Sequence, residues 1–100
     1  MGSVRERQNL RISGEVQGVF FRETVRRIAA GYDVHGFVRN LGDDIVEVEA
    51  EGDAREVHAF FEDILANPPS AARIEHVHAT PKQPIGTSGF FVTASKRDGP

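Results

Sequence analysis

An α+β fold, one antiparallel sheet carrying two helices on one face, is predicted by three observations. Apolar residues alternate at period two in several short runs, they recur at helical spacing in two longer segments, and these segments follow the order strand, helix, strand, strand, helix, strand. That order, with a short apolar run after it, is the split βαβ arrangement of a ferredoxin-like sandwich with an added C-terminal edge strand. A chain of 100 residues with 39% hydrophobic residues can fill a single core but not two. One domain over 1–100 is expected, with an ordered core of about 9–94 between flexible tails at 1–8 and 95–100.

Leu10 and Ile12 alternate with Asn9, Arg11 and Ser13, which marks a half-buried strand. From Phe21 the period changes: Phe21, Val25, Ile28, Ala29 and Tyr32 share one helical face, and Gly31 ends the helix. Val34 to Leu41 and Ile45 to Glu51 read as a hairpin around the turn Gly42-Asp43-Asp44. In its second strand Val46, Val48 and Ala50 face a core, so Glu47, Glu49 and Glu51 are expected on a wet, acidic face. Asp53, with Glu56 three residues on, opens a second helix in the manner of a capping box. Its stripe is Val57, Phe60, Phe61, Ile64 and Leu65, each worth roughly 1.5–3 kcal/mol when fully buried. Pro68 and Pro69 stop it. Ile74, Val77 and Ala79 then mark a strand whose uneven step predicts either a start near Glu75 or a bulge. Pro81 to Ser88 reads as a loop, and Phe90 and Val92 as a short strand at an edge.

Composition excludes several kinds of chemistry. The chain has no cysteine, so disulfides, thiolate zinc sites and cysteine nucleophiles are ruled out. No apolar run is long enough to span a bilayer, and the first eight residues lack the apolar centre of a signal peptide, so a cytoplasmic location is expected. A net charge of −3 argues against nucleic acid as the main partner, and three glutamates on one strand would repel phosphates and offer no ring for base stacking. A metal reading would use His76 and His78, with His35 or His58, but two histidines at i, i+2 without a carboxylate partner are ordinarily surface residues. No cofactor and no metal are expected, and a monomer is the default state.

The stretch Gly14-Glu15-Val16-Gln17-Gly18-Val19-Phe20-Phe21-Arg22 joins the first strand to the first helix. Its two glycines permit positive φ, so successive backbone N–H groups can converge on one spot. The helix adds the positive end of its dipole there, and Arg22 adds a planar, permanently charged fork. The spacing suggests a phosphate cradle. This run matches Gly-x-Val-Gln-Gly-Val-x-Phe-Arg at every specified position, and Gly36-Phe37-Val38-Arg39-Asn40 matches Gly-aromatic-Val-basic-Asn. In both motifs, and over roughly residues 9–94, the chain resembles the acylphosphatases.

The resemblance implies the ferredoxin-like fold and a small free-standing enzyme. It implies metal-independent hydrolysis of the carboxyl-phosphate bond of an acyl phosphate, to carboxylate and inorganic phosphate. Arg22 and Asn40 correspond to the family's catalytic pair, Arg22 binding phosphate and Asn40 orienting the attacking water. The loop residues Glu15, Val16, Gln17, Gly18, Val19 and Phe20 would bind substrate through their amides, the side chains of Gln17 and Val19 needing to do nothing. Two residues depart from the pattern. Glu15 stands where many members carry a basic residue, and Asp44 replaces a glycine in the turn beside Asn40. The same kind of domain opens the large carbamoyltransferase that matures hydrogenases, which continues into cysteine-rich zinc motifs. The alternative reading is a non-catalytic phosphate- or acyl-phosphate-binding module of the same fold.

Overall fold

The computed structural model describes residues 4–18 and 20–96. The elements run β1 (Arg5–Glu15), α1 (Phe21–Ala29), β2 (Val34–Leu41), β3 (Ile45–Asp53), α2 (Ala54–Ala66), β4 (Arg73–Lys82) and β5 (Phe90–Val92). They form one five-stranded sheet in the order β4-β1-β3-β2-β5. β1 pairs antiparallel with β3 and β4, and β2 antiparallel with β3, but β5 lies parallel to β2. The fold is the expected α+β ferredoxin-like one, with a sheet made mixed by its short edge strand.

Both helices pack on one face of the sheet. Leu10, Ile12, Val38, Val46, Val48 and Ala50 from the strands and Phe21, Val25, Val57, Phe60 and Ile64 from the helices belong to a single buried cluster. Asp53 caps α2 by accepting from the Arg55 amide at 2.8 Å, while Glu56 accepts from the Asp33 amide at 2.8 Å and ties α2 to the start of β2. Leu65, expected in the apolar stripe, is exposed. It lies one position past Ile64, where α2 has turned from the sheet.

β1 begins at Arg5, not at Asn9, so residues 5–8 are strand and not tail. The reason lies on the opposite face. In register, Arg7 stands against Glu51, Asn9 against Glu49 and Arg11 against Glu47, while Arg39 of β2 faces Glu47 from the other side. Arg7 bonds Glu49 Oε2 at 2.6 Å and Glu51 Oε1 at 3.0 Å, Arg39 bonds Glu47 Oε1 at 2.6 Å, and the Asn9 amide bridges Glu47 and Glu49. The face expected to be wet is therefore a neutralised lattice. Glu51 is 0% exposed and Arg7 6%.

The segment 83–89 crosses this lattice as a strap, the expected loop having lost Pro81 and Lys82 to β4. The amides of Ile85 and Gly86 each donate to Glu51 at 2.8 Å, Thr87 Oγ1 accepts from Arg7 at 2.8 Å, and the Gly89 amide donates to His35 Nδ1. Burial by itself would raise the Glu51 carboxyl pKa. The bonds from the Ile85 amide, Arg5, the Gly86 amide and Arg7 outweigh burial and hold it down to about 2. Its folded pKa is thus below its unfolded one, near 4.3, so the stabilisation is complete above that value and is lost as pH falls towards 2. Glu51→Ala is expected to cost about 3 kcal/mol, since it takes one of two carboxylates from the buried Arg7 and leaves the amides of Ile85 and Gly86 without their acceptor. Glu51→Gln should flatten the acid limb of a stability-versus-pH curve between pH 4 and pH 2, as measured by urea unfolding; a slope equal to wild type contradicts it.

The uneven step in β4 is a bulge. Ser13 pairs with His76 and Gly14 with Ile74, leaving Glu75 as the extra residue. Gly14, at φ +135°, lies so near that a Cβ would meet the Arg73 carbonyl at 2.3 Å. Only glycine fits where the bulge turns β1 toward the loop.

Candidate active site

The loop between β1 and α1 is built by three anchors. Val16 is fully buried in the core. The Gln17 side chain reaches across to the β2–β3 turn, where Nε2 donates to the Gly42 carbonyl at 3.2 Å and the Ile45 carbonyl at 2.9 Å. The Phe20 carbonyl accepts from the Thr24 amide at 3.0 Å and the Thr24 hydroxyl at 2.9 Å, starting α1. Between these anchors the backbone enters the left-handed region twice, at Gly18 with φ +73° and at Phe20 with φ +62°. Val19, expected to bind substrate, lies outside the described residues.

No side chain among the described residues caps α1. Among the described residues its first hydrogen bond is made by the Thr24 amide, so the amides of Phe21, Arg22 and Glu23 have no intrahelical acceptor there and present the positive end of the helix dipole. In front of them is a hollow of about 400 Å³, lined by Val16, Gly18, Phe20, Phe21, Arg22, Glu23, Asn40 and Val92. Arg22 and Asn40, 18 positions apart in the chain, thus share one cavity.

Their electrostatics differ from those of their neighbours. Arg5, Arg7, Arg11, Arg26 and Arg39 each pair with a carboxylate. Arg22 forms no ion pair among the described residues and is the one cation lining the hollow there. The hydrogen bond from Arg26 holds the Glu23 carboxyl below its ordinary pKa, so the acid on this rim is already engaged. Asn40 Oδ1 is buried and has no hydrogen-bond partner among the described residues. A buried acceptor left unsatisfied is costly, and Asn40 carries that cost at the wall of the hollow that Arg22 also lines.

Of the other loop residues assigned to substrate, Val16, Gly18 and Phe20 line the hollow. Glu15 does not: it is the last residue of β1, exposed and in register with Arg73. Gln17 does not either, and its side chain is not idle, because it clamps the loop to the hairpin that carries Asn40. Nothing in periodicity marks Gln17, since its partners are carbonyls; only its place between a buried valine and a left-handed glycine hints at a fixed conformation. Val92, from β5, was also outside the expected site. It arrives through the parallel pairing of β5 with β2, which register Val38 with Val92. In the turn Gly42, at φ +62°, takes the left-handed position and Asp44 does not, while the Asp44 carbonyl accepts from the Gly14 amide. The histidines do not converge: His35 contacts Asp33 and Gly89, and His58 contacts Glu6.

Gln17→Ala is expected to lower kcat for an acyl phosphate about tenfold with a smaller change in KM, because it loosens the loop relative to Asn40 more than it alters the phosphate contacts. A fall in thermal stability with kcat unchanged would make the clamp purely structural.

The Acylphosphatase family model matches residues 8–92. The acylphosphatase of Thermococcus kodakarensis is 44% identical over 88 residues, covering 88% of this chain and 96% of that protein. The structure of an acylphosphatase from Coxiella burnetii superposes with a TM-score of 0.80 at 32% identity, covering 89% of this chain and 93% of that one. Full-length HypF, solved in a phosphate- and nucleotide-bound form, matches with a TM-score of 0.91 at 31% identity over 99% of this chain, which spans 13% of HypF. No helix among the described residues is long and apolar enough to cross a membrane. The chain belongs to the acylphosphatase family.

Proposed function

We propose that this protein hydrolyses acyl phosphates without a metal, with Arg22 and the amides of Val16, Gly18 and Phe20 binding the phosphoryl group and Asn40 aiming the attacking water. The single observation that supports this reading most is the joint lining of one hollow by an arginine, a helix start and an asparagine with a buried amide oxygen, which among the described residues have no ion-pair, capping or hydrogen-bond partner respectively. Phosphoryl transfer passes through a largely dissociative, in-line transition state, so catalysis is mostly positioning and electrostatic stabilisation of the phosphoryl oxygens. Arg22 and the helix start supply both.

In the step itself, water oxygen forms a bond to phosphorus while the bond from phosphorus to the acyl oxygen breaks, its electron pair leaving on the carboxylate. That carboxylate has a pKa near 4, so it departs without a general acid. Asn40 is neutral and hydrogen-bonds the water through its carboxamide, by the oxygen or the amide nitrogen, fixing its direction without removing its proton. The proton passes to a phosphoryl oxygen. No nucleophilic side chain takes part, and a cytoplasmic monomer suffices for this chemistry.

The test is release of inorganic phosphate from acetyl phosphate in the presence of EDTA, above the rate without protein. Steady turnover that resists the chelator is expected. Competitive binding of phosphate without turnover would favour the non-catalytic binding module, and loss of activity in EDTA would remove the metal-free mechanism.

A further inference from the structure

His35 stands outside the hollow, and its two ring nitrogens face opposite kinds of partner. Nδ1 lies 2.9 Å from the Gly89 amide, which can only donate, and Nε2 lies 3.0 Å from Asp33 Oδ1, a carboxylate oxygen that accepts. These partners select the neutral ring with its proton on Nε2. Among the described residues His35 is the one histidine that accepts from a backbone amide, whereas His58 meets the Glu6 carboxylate, a bond that protonation keeps. The His35 side chain is 30% exposed, so protons reach it from solvent.

Gly89 is where the strap ends and β5 begins. Its carbonyl accepts from the Gly36 amide at 2.9 Å, so two neighbouring residues of β2 hold both of its polar groups. From there the chain runs along β2. Phe90, Phe91 and Val92 pair with Gly36, Phe37 and Val38, the Thr93 amide donates to the Val38 carbonyl at 3.0 Å, and the Lys96 amide donates to the Asn40 carbonyl at 2.8 Å. The Lys96 carbonyl then accepts from the Gly42 amide at 2.8 Å, in the turn whose Gly42 carbonyl is taken by Gln17. A run that starts at the His35 ring thus ends on the peptide of Asn40.

The charged groups around the ring decide what a proton would do there. They are Asp33 on its own segment, Glu51 opposite it on β3 with Arg5 and Arg7 bonded to that carboxylate, and Glu56 of α2, which accepts from the Asp33 amide. The strap and β5, residues 83–92, contain no titratable side chain. Glu51 is already matched by two arginines and two amides, so the partner left for an imidazolium is Asp33. Protonation strengthens that bond, and the Asp33 backbone is tied to α2, so the ring stays in place. Its new proton on Nδ1 then meets the Gly89 N–H, donor against donor. The chain at Gly89 has to give way.

We propose that His35 is a positioning residue and a pH-sensitive latch: as neutral imidazole it pins Gly89 and the run to Lys96 that backs Asn40, and on protonation it lets that run loosen. The latch stands on this geometry, and its effect on rate rests on the phosphoryl reading above. Histidine is the side chain that ordinarily changes charge between about pH 5 and 8. Through that range Glu51, whose carboxyl is held down to about 2, keeps its grip on Ile85 and Gly86, so acid frees the strap only at its Gly89 end. Phe90 stays edge-on against Phe60, ring centroids 5.5 Å apart, and the run loosens without leaving the sheet.

The experiment follows amide hydrogen exchange, and kcat and KM for acetyl phosphate, from about pH 8 to pH 5 in wild type, His35→Asn, His35→Phe and His58→Asn. Asparagine places a carbonyl oxygen near the position of Nδ1 and does not titrate, while phenylalanine keeps a ring without an acceptor. With the intrinsic pH dependence of exchange removed, protection of the Thr93 and Lys96 amides is expected to fall about tenfold in wild type and in His58→Asn, while the amides of β1 and β3 keep theirs. It should stay level in His35→Asn and be low throughout in His35→Phe. The same pattern is expected in kcat, with KM little changed, because the contacts at Arg22 are untouched. Level protection in wild type overturns the latch, as does an equal fall in His35→Asn. Protection that falls while kcat varies with pH alike in wild type and His35→Asn overturns the positioning role. Wild type without turnover at any pH sinks the phosphoryl reading and the rate effect with it, and exchange still decides the latch.

Discussion

Arg22→Ala is expected to lower kcat/KM for an acyl phosphate by about a thousandfold or more and to abolish competitive inhibition by inorganic phosphate. The size of the effect follows from the absence of any substitute. Among the described residues Arg22 is the one cation lining the hollow, and the helix start that remains after its removal is a partial charge of about half a unit. Phosphoryl transfer spreads negative charge over three oxygens, and a guanidinium answers two of them in one plane, which neither a dipole nor a water can reproduce. Arg22→Lys should recover only part of the loss, because an ammonium restores charge without the fork. Stability gives the independent control. Arg22 has no carboxylate partner among the described residues, whereas Arg7 is bonded to Glu49 and Glu51. Arg22→Ala should leave the thermal midpoint within a degree or two, and Arg7→Ala should lower it strongly. Retained phosphate inhibition in Arg22→Ala would place the anion elsewhere.

The contrast between those two arginines also explains what could be read from the sequence. Apolar burial has a period, and so the stripe from Val57 to Ile64, the alternation of Val46, Val48 and Ala50, and even an irregularity between Ile74 and Val77, though not its choice of a bulge over a late strand start, were legible. Polar burial has none. Arg7, Asn9, Glu47 and Glu51 alternate as any solvated face would, and only their register across three strands turns them into a buried lattice, so Arg5 to Gln8 read as a tail and Glu51 as wet. The strap over Glu51 is equally hidden, because it binds through the amides of Ile85 and Gly86, which every residue but proline possesses. The site divides along the same line. Arg22 and Asn40 sit in compact motifs in the first turn of a helix and near the end of a strand, where local order sets their direction. Gln17 and Val92 reach the site through a side chain bonded to distant carbonyls and through a parallel pairing, and neither leaves a local mark.

Asn40→Ala is expected to act on rate and not on binding, and to do so without harming the fold. The amide oxygen of Asn40 is buried and unpaired among the described residues, a condition that costs about 1–3 kcal/mol in a protein interior. Its backbone is held independently, since its carbonyl accepts from the Lys96 amide at 2.8 Å and its register is set by Val46. Removing the side chain therefore deletes an unsatisfied group and leaves the strand intact, so the thermal midpoint should stay level or rise. The reaction loses the group that aims its water. Misdirected attack on phosphorus is expected to reduce kcat about a hundredfold or more, with KM and inhibition by inorganic phosphate little changed, because Arg22 and the helix start still hold the phosphoryl group. Asn40→Asp separates orientation from charge: its carboxylate can still accept from water but faces the substrate dianion, so KM should rise, and more at low salt than at high. A protein that loses rate only in proportion to its loss of stability would return Asn40 to the role of a hairpin residue. One that loses rate while gaining stability carries the mark of a side chain kept in an unfavourable place for the sake of the reaction.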